Sequence, residues 1–178
     1  MLRRHPLPHH WLMTDERMGD ALWEALERLP RGGGVVFRHY GLAKAERQVL
    51  FAKVLKVAKR RRLIVVRAGS EPMRGESGVH GVRGRGFRTA PAHNRREAIA
   101  ALRAGAHALF VSPAFPTRSH PGARALGRAR FGMLVCGLDV PVIALGGMDA
   151  RNAASLRHFG IHGWAAIDAW TKEKAKAG

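Results

Sequence analysis

The sequence has little of what a secreted or membrane-spanning protein needs. It contains one cysteine, Cys136, so no internal disulfide can form and a reducing compartment is expected. No apolar run approaches the roughly 20 residues that a membrane helix requires. The first residues, 1–14, carry charges and prolines without the apolar core of a signal peptide. We therefore expect a cytoplasmic protein with no membrane partner.

Acidic residues are also scarce, since 13 Asp and Glu stand against 31 Lys and Arg, for a net charge of +18. The positive electrostatic field of such a chain attracts anions, among them phosphorylated metabolites and nucleic acid. The arginines are spread along the chain, and only residues 59–62 form a tight basic run. There is no zinc-finger spacing, no aromatic–basic RNA motif and no His/Cys/acid cluster with metal-site spacing. We therefore do not expect nucleic acid as the partner or a zinc site.

What the sequence does contain is a regular alternation of strand and helix patterns, over a length that suits one domain, 1–178. Such alternation implies parallel strands with helical crossovers, and eight strands predict an α/β fold of the (β/α)8 barrel type. The strand patterns lie at 11–14, 33–40, 63–67, 77–81, 86–90, 107–112, 141–147 and 162–169. The helix patterns lie at 19–29, 44–62, 94–106, 125–138 and 149–161.

The predicted barrel is trimmed. Between the third, fourth and fifth strand patterns there is room only for loops, so two outer helices are expected to be missing or reduced to a turn. Strands without a covering helix expose backbone and apolar side chains that need another cover. A homodimer is one way to provide it.

The loops after the seventh and eighth predicted strands have the features of a phosphate site. Gly146 and Gly147 allow an anion to approach backbone N–H groups, at the start of a predicted helix. The backbone at Ile167 and Asp168 follows the eighth strand and can complete the site. Phosphate sites built from these two loops recur in this fold. A plain tight turn is the alternative reading of the glycine pair.

With these motifs in place, the chain resembles the thiamine phosphate synthase/TenI family. The resemblance is carried by "GVHG" (78–81), by 92–117 with its "SPAFPT", by "LG" (126–127) and by 141–167 with its "PVIALGGM". It runs in order along nearly the whole chain and is weaker in the first half. It implies a (β/α)8 barrel. The synthase joins a pyrimidine methyl diphosphate to a thiazole phosphate with Mg²⁺ and releases pyrophosphate, whereas TenI-type relatives tautomerise a thiazole carboxylate phosphate.

The resemblance assigns roles to particular residues. Thr117 and Ser119 would meet a phosphate or diphosphate with their hydroxyl groups, and the N–H groups of Gly146 and Gly147 would hold the thiazole phosphate. His93 matches the histidine that TenI-type tautomerases use for proton transfer, which a histidine performs well near neutral pH.

The metal-binding pattern of the synthase is not kept. The third predicted strand ends in Arg67 and Ala68, where the resemblance expects asparagine and a metal-binding aspartate, and "GVHGVRGRG" (78–86) has no aspartate. Mg²⁺ prefers oxygen ligands and usually takes one or two carboxylates. Mg²⁺ is therefore the cofactor expected of the family, but no residue is assigned to hold it here. Arg67, with Arg83 or Arg85, is a candidate to grip phosphate in its place, and a surface ion pair is the alternative.

The second predicted strand departs as well. Arg38 is kept and is a candidate catalytic residue, but Val36, His39 and Tyr40 replace the glutamine, glutamate and lysine of the synthase, and His120 replaces a further lysine. Three functions remain open. They are a synthase that has lost its metal ligands, a metal-independent tautomerase using His93, and a non-catalytic protein that binds a phosphorylated metabolite.

Overall fold

The strands close into one parallel barrel. A computed structural model describes residues 6–117, 122 and 124–171. Each strand pairs with the next, and the last pairs with the first. The predicted (β/α)8 class is therefore confirmed. The strands are β1 (His10–Met13), β2 (Gly34–Phe37), β3 (Ile64–Ala68), β4 (Gly78–His80), β5 (Phe87–Ala92), β6 (Ala108–Val111), β7 (Val142–Leu145) and β8 (Gly163–Ala166).

The helices lie outside the barrel, between consecutive strands. They are α1 (Ala21–Arg28), α2 (Lys44–Arg61), α3 (Arg95–Arg103), α4 (Gly127–Val135) and α5 (Ala150–Leu156). No helix follows β3 or β4, as the sequence predicts. Within the described residues β8 is followed only by a 3₁₀ turn, Asp168–Trp170, which the sequence analysis did not anticipate. None of the described helices combines the length and apolarity needed to cross a membrane.

Strand alternation divides the apolar side chains into an inner and an outer layer. Trp11, Val36, Val66, Phe110 and Ile143 belong to one buried cluster that fills the barrel. The neighbouring strand positions face outward into two further clusters, one beneath α1 and α2 and the other beneath α3, α4 and α5. The barrel is therefore a packed core, and functional groups are confined to its ends.

The flank that lacks helices is covered by its own loops. Val79 on β4 is 0% exposed. A Cβ placed on Gly84 would lie 2.4 Å from a Val79 methyl carbon, so the backbone of the β4–β5 loop packs directly on that side chain. Met73, in the β3–β4 loop, is buried as well. These loops cover β3 and β4, whereas Pro91 on β5 stays exposed, and the homodimer remains a prediction.

Candidate active site

A cleft of about 720 Å³ opens at the carboxyl ends of the strands. This is the end of the barrel where active sites of the fold lie, and the volume is within the range of about 300–1,000 Å³ typical of small-molecule sites. The cleft brings together most of the residues that the sequence singles out. They are Arg38, His93, Thr117, Gly146, Gly147, Ile167 and Asp168. Ser119 and His120 lie outside the described residues.

The two glycines after β7 hold the loop through hydrogen bonds that their carbonyl groups accept. Their φ angles are +92° and +59°, a region that favours glycine. The Gly146 carbonyl accepts from the Phe115 N–H at 3.0 Å, and the Gly147 carbonyl accepts from Asn152 Nδ2 at 2.6 Å. Among the described residues, nothing accepts from either glycine N–H. These two donors therefore remain for a ligand in the cleft.

Close packing also requires glycine at the second of these positions. A Cβ on Gly147 would lie 2.3 Å from the Pro116 carbonyl oxygen, which is backbone and cannot swing away. The loop that holds Thr117 thus rests directly on Gly147. This contact places the threonine segment and the glycine pair on the same wall of the cleft.

His93 follows β5 and is held by an acidic side chain. Its Nδ1 lies 2.8 Å from Glu97 Oε2, and its backbone N–H donates to the same oxygen at 2.8 Å. A carboxylate can only accept, so Nδ1 carries the proton and the neutral ring keeps its lone pair on Nε2. The imidazole is 55% exposed and lines the cleft. Its geometry is that of a general base with a fixed orientation.

Glu97 is itself fixed by the first turn of α3. Asn94 caps the helix, since its Oδ1 accepts from the Glu97 N–H at 2.9 Å and its Nδ2 donates to Glu97 Oε1 at 2.7 Å. Hydrogen bonds from His93, the backbone one first, lower the pKa of the Glu97 carboxyl. The sequence analysis did not assign Glu97 a role. The signal was present in "HNRRE", where a capping residue is followed three positions later by glutamate.

Comparisons with known proteins find sequence likeness in the C-terminal half of the chain. The family model described as thiamine monophosphate synthase matches residues 89–170. The thiamine-phosphate synthase of Geobacillus kaustophilus is 38% identical over 84 residues, which are 44% of this chain and 36% of that protein. The enzyme of Salinispora tropica is 39% identical over 82 residues, 46% of this chain and 39% of that protein. The sequence likeness to the thiamine monophosphate synthase family thus covers residues 89–170, in the C-terminal half of the chain.

The fold of a family member extends the likeness to the whole barrel. A thiamine phosphate pyrophosphorylase from Pyrococcus furiosus superposes with a TM-score of 0.77 at 22% identity, covering 97% of this chain and 91% of that chain. The sequence matches span little more than a third of the curated relatives' length. For the first half the likeness is therefore one of fold.

Arg38 is the one charged side chain that the first half contributes to the cleft. Its Nε donates to the Thr14 carbonyl at 2.7 Å and its Nη2 to Asp15 Oδ2 at 3.0 Å. Asp15 also accepts from Arg17 Nε at 2.7 Å. The Arg17 hydrogen bond, with a smaller contribution from the charge of Arg38, lowers the pKa of Asp15 to about 2. Asp15, which the sequence analysis did not single out, therefore stays ionised and fixes the guanidinium.

Arg67 does not reach the cleft. It shares the outer face of β3 with Val65, whereas Val66 and Ala68 face the barrel interior. Its Nε and Nη2 donate to the two carboxylate oxygens of Glu76, at 2.5 and 3.2 Å, and the guanidinium is 2% exposed. Both interpretations from the sequence, a phosphate ligand and a surface ion pair, are replaced by a buried ion pair that anchors the β3–β4 loop.

The residues at the ends of β3 and β4 do not fit the family's Mg²⁺. Ala68 stands at the interior position where the resemblance expects an aspartate, and it offers no oxygen ligand. His80, on β4, is buried with Nδ1 2.9 Å from Thr89 Oγ1, and burial lowers its pKa to about 4. Among the described residues no group of three or more His, Cys, Asp or Glu is arranged to hold a metal ion. Octahedral oxygen coordination of Mg²⁺ is not available at this place.

His39 also has a structural partner. Its Nδ1 lies 3.0 Å from Thr14 Oγ1 and its ring stacks on Phe37 with 4.9 Å between centroids. It ends β2 with a φ of +36°, which turns the chain out of the sheet. Burial lowers the pKa of its imidazole, so the ring enters the core neutral.

Proposed function

We propose that this chain binds a thiazole phosphate in the cleft without a metal ion and moves a proton on it with His93. The observation that carries the proposal is that His93, which Glu97 holds, lines one cleft with the Gly146–Gly147 pair. The first is a base of fixed orientation and the second supplies backbone donors for an anion. This is the tautomerase branch of the thiamine phosphate synthase/TenI family.

The phosphate would lie in a cup formed by Thr117, Gly146, Gly147 and the backbone at Ile167 and Asp168. Backbone N–H groups suit phosphate because they donate without the entropy cost of ordering a long side chain. Thr117 adds a hydroxyl from the loop that rests on Gly147. We call these five residues the phosphate cup.

The proton transfer would use His93 Nε2. In a tautomerisation one proton leaves a carbon of the ligand, and one proton is delivered to another ligand atom, so no co-reactant is consumed. The neutral imidazole accepts the first proton at Nε2, and Glu97 stabilises the imidazolium through the Nδ1–H bond. The imidazolium then returns a proton and is neutral again. General acid–base catalysis of this kind contributes about 10²–10⁴-fold.

Thiamine phosphate synthesis itself is the second candidate. It is favoured by the sequence relatives, which are thiamine-phosphate synthases 32–39% identical to this chain over the matched residues. It would require the diphosphate to be held without the two carboxylates that the family uses. The third function, non-catalytic binding of a phosphorylated metabolite, needs the phosphate cup and nothing from His93.

A direct test follows the ligand protons by NMR. The thiazole carboxylate phosphate tautomer is incubated with the wild type, His93→Gln and Glu97→Gln, each without added metal. We expect conversion with the wild type, a loss of about 10²-fold or more in His93→Gln, and a smaller loss in Glu97→Gln. Equal thiazole phosphate binding by all three proteins is the control. Binding without any conversion by the wild type would leave the non-catalytic function.

A further inference from the structure

The structure gathers cationic side chains at the amino ends of the strands, opposite the cleft. In a parallel barrel every connection that enters a strand reaches it at this end. Between β2 and β6, six exposed cations occupy these connections or the last turns of the helices that lead into them. We call them the basic arc, and they are Arg31, Lys59, Arg60, Arg62, Arg85 and Arg103.

Hydrogen bonds tie the connections before β2 and β3 together. Arg31 Nη2 donates to the Arg60 carbonyl at 3.4 Å, and the Gly32 N–H donates to the Arg61 carbonyl at 3.4 Å. These bonds hold the turn after α1 against the last turn of α2. Arg31, Arg60 and Arg62, which are distant or unpatterned in the sequence, therefore lie side by side at one edge of the barrel.

Carboxylates do not neutralise the basic arc. Among the described residues of this stretch the one exposed carboxylate is Glu27, which pairs with Arg60 and, at 3.5 Å, with Arg61. Four cations of the arc make no side-chain hydrogen bond or ion pair with another described residue, and these are Lys59, Arg62, Arg85 and Arg103. Like charges held close together repel one another, so binding of an anion stabilises the arc.

The helix dipole explains only part of the basic arc. Cations are favoured in the last turn of a helix, and this accounts for the three members that end α2 and α3. Arg31 and Arg85 lie in connections outside the helices. Arg62 follows α2 with a φ of +59°, a left-handed conformation that glycine usually adopts at this position. The arc therefore continues beyond the charges that the helix ends favour.

We infer that the basic arc binds the phosphate backbone of a nucleic-acid duplex. A row of separate cations fits a partner whose charges repeat along its length, and a duplex carries one charge per about 1.7 Å. Five of the six members are arginines, whose guanidinium groups bind phosphate oxygens bidentately. The spread of arginines along the sequence did not lead us to expect nucleic acid, because it does not show which of them meet in the fold.

The surroundings of the basic arc favour a duplex backbone over a membrane or a base-reading site. The large apolar side chains beside it, Leu29 and Leu63, are buried and cannot insert between lipids. The arc contains no aromatic side chain on which a base could stack, so binding is expected without sequence preference.

The test is fluorescence anisotropy of a labelled DNA duplex of about 20 base pairs, titrated with the full chain at increasing salt. Contact with about four phosphates predicts a loss of affinity of about 10²-fold between about 50 and 200 mM sodium chloride. A second duplex of unrelated sequence should bind with the same affinity. A strong preference for one of the two sequences would contradict binding through the backbone alone.

Matched triple variants locate the surface. The first combines Arg31→Gln, Arg62→Gln and Arg85→Gln in the basic arc. The second, the control, combines Arg96→Gln, Arg128→Gln and Arg130→Gln, at exposed positions in the first turns of α3 and α4. Both variants lose three charges. At about 50 mM salt the first should bind the duplex about tenfold more weakly, with a salt slope reduced by about three, and the control should lose less than about threefold. Melting temperatures report any loss of folding.

The outcomes separate the basic arc from a general effect of charge. Equal losses in both triple variants, or no binding by the wild type at low salt, would overturn the inference. Polyglutamate and phosphatidylglycerol vesicles are two further probes, and binding of either as tightly as the duplex at the same salt concentration would show that nucleic acid is not the partner. The arc lies opposite the cleft, so a failure to bind hydroxyethylthiazole phosphate bears on the proposed function alone.

Discussion

The two halves of the barrel share one architecture and differ in what their strand ends do. Of the described residues that line the cleft, only Met13 and Arg38 come from the half formed by β1–β4, and all others come from residues 93–171. In the first half the polar side chains at the strand ends bond to other groups of the protein. In the second half, backbone hydrogen bonds join one loop to the next. Among the described residues they leave the N–H groups of Gly146 and Gly147 as donors for the cleft.

The first half shows this internal use at every strand end. Arg38 is fixed by Asp15, His39 by Thr14, Arg67 by Glu76 and His80 by Thr89. Arg47, from α2, donates to the carbonyls of Arg38 and Ala68 at 2.8 and 2.6 Å. Side chains that satisfy one another are rigid and are not available to a ligand. This half therefore serves as a scaffold, and the matched family region coincides with the half that holds the site.

The largest effect is expected at the phosphate cup. Gly147→Asp adds a charge and a Cβ that would lie 2.3 Å from the Pro116 carbonyl oxygen, at a φ of +59°. Binding of hydroxyethylthiazole phosphate should be lost in calorimetric titrations. Gly160→Asp is the matched control, because its φ is +73° with nothing within 4 Å of the added Cβ. If Gly147→Asp binds as tightly as Gly160→Asp, the cup lies elsewhere.

The next effect is expected on stability, in the first half. Glu76→Gln leaves the buried Arg67 guanidinium without its counter-charge, which should lower the free energy of unfolding by about 3–5 kcal/mol. Glu71→Gln breaks an exposed pair with Lys44 and should leave the unfolding midpoint nearly unchanged. Urea denaturation midpoints measure both. Ligand affinity should stay unchanged in Glu76→Gln, and a tenfold loss of affinity would contradict the division between scaffold and site.

A smaller effect, a gradual change of the free energy of unfolding with pH, is expected from His80. His80 has a pKa of about 4 in the folded protein against 6.5 for an unburied histidine, so the unfolded chain takes up the proton first as pH falls. Stability should decline by about 3 kcal/mol in total between pH 6.5 and pH 4, and His80 adds no further decline below that. His80→Gln should flatten this part of the stability profile in urea titrations. A variant with the wild-type slope would show that His80 is accessible to protons.

The sequence predicts the barrel well because its signals are local. Eight strand patterns, five helix patterns and the short connections around β4 are all read from neighbouring residues, and the glycine pair marks its own turn. The observed strands are shorter than the patterns. The pattern at 33–40, for example, becomes Gly34–Phe37, because His39 takes up a positive φ.

What the sequence does not yield depends on contacts between distant parts of the chain. Arg67 follows the apolar run "LIVV". Because every residue of that run is apolar, the sequence does not show which alternate residues of β3 face the barrel interior. Its partner Glu76 lies in a loop without periodicity. Trp164 lies on the outer face of β8 and still lines the cleft, which strand alternation alone does not predict. Glu97 is the exception, since its capping pattern is local and readable.

The phosphate cup of the C-terminal half is proposed to bind a thiazole phosphate without metal. The most direct measurement is a calorimetric titration of the wild type with hydroxyethylthiazole phosphate, once in EDTA and once in excess Mg²⁺. We predict saturable binding with the same Kd in both buffers. Binding that appears only with Mg²⁺ would contradict the account and would show that the ends of β3 and β4 form a metal site after all.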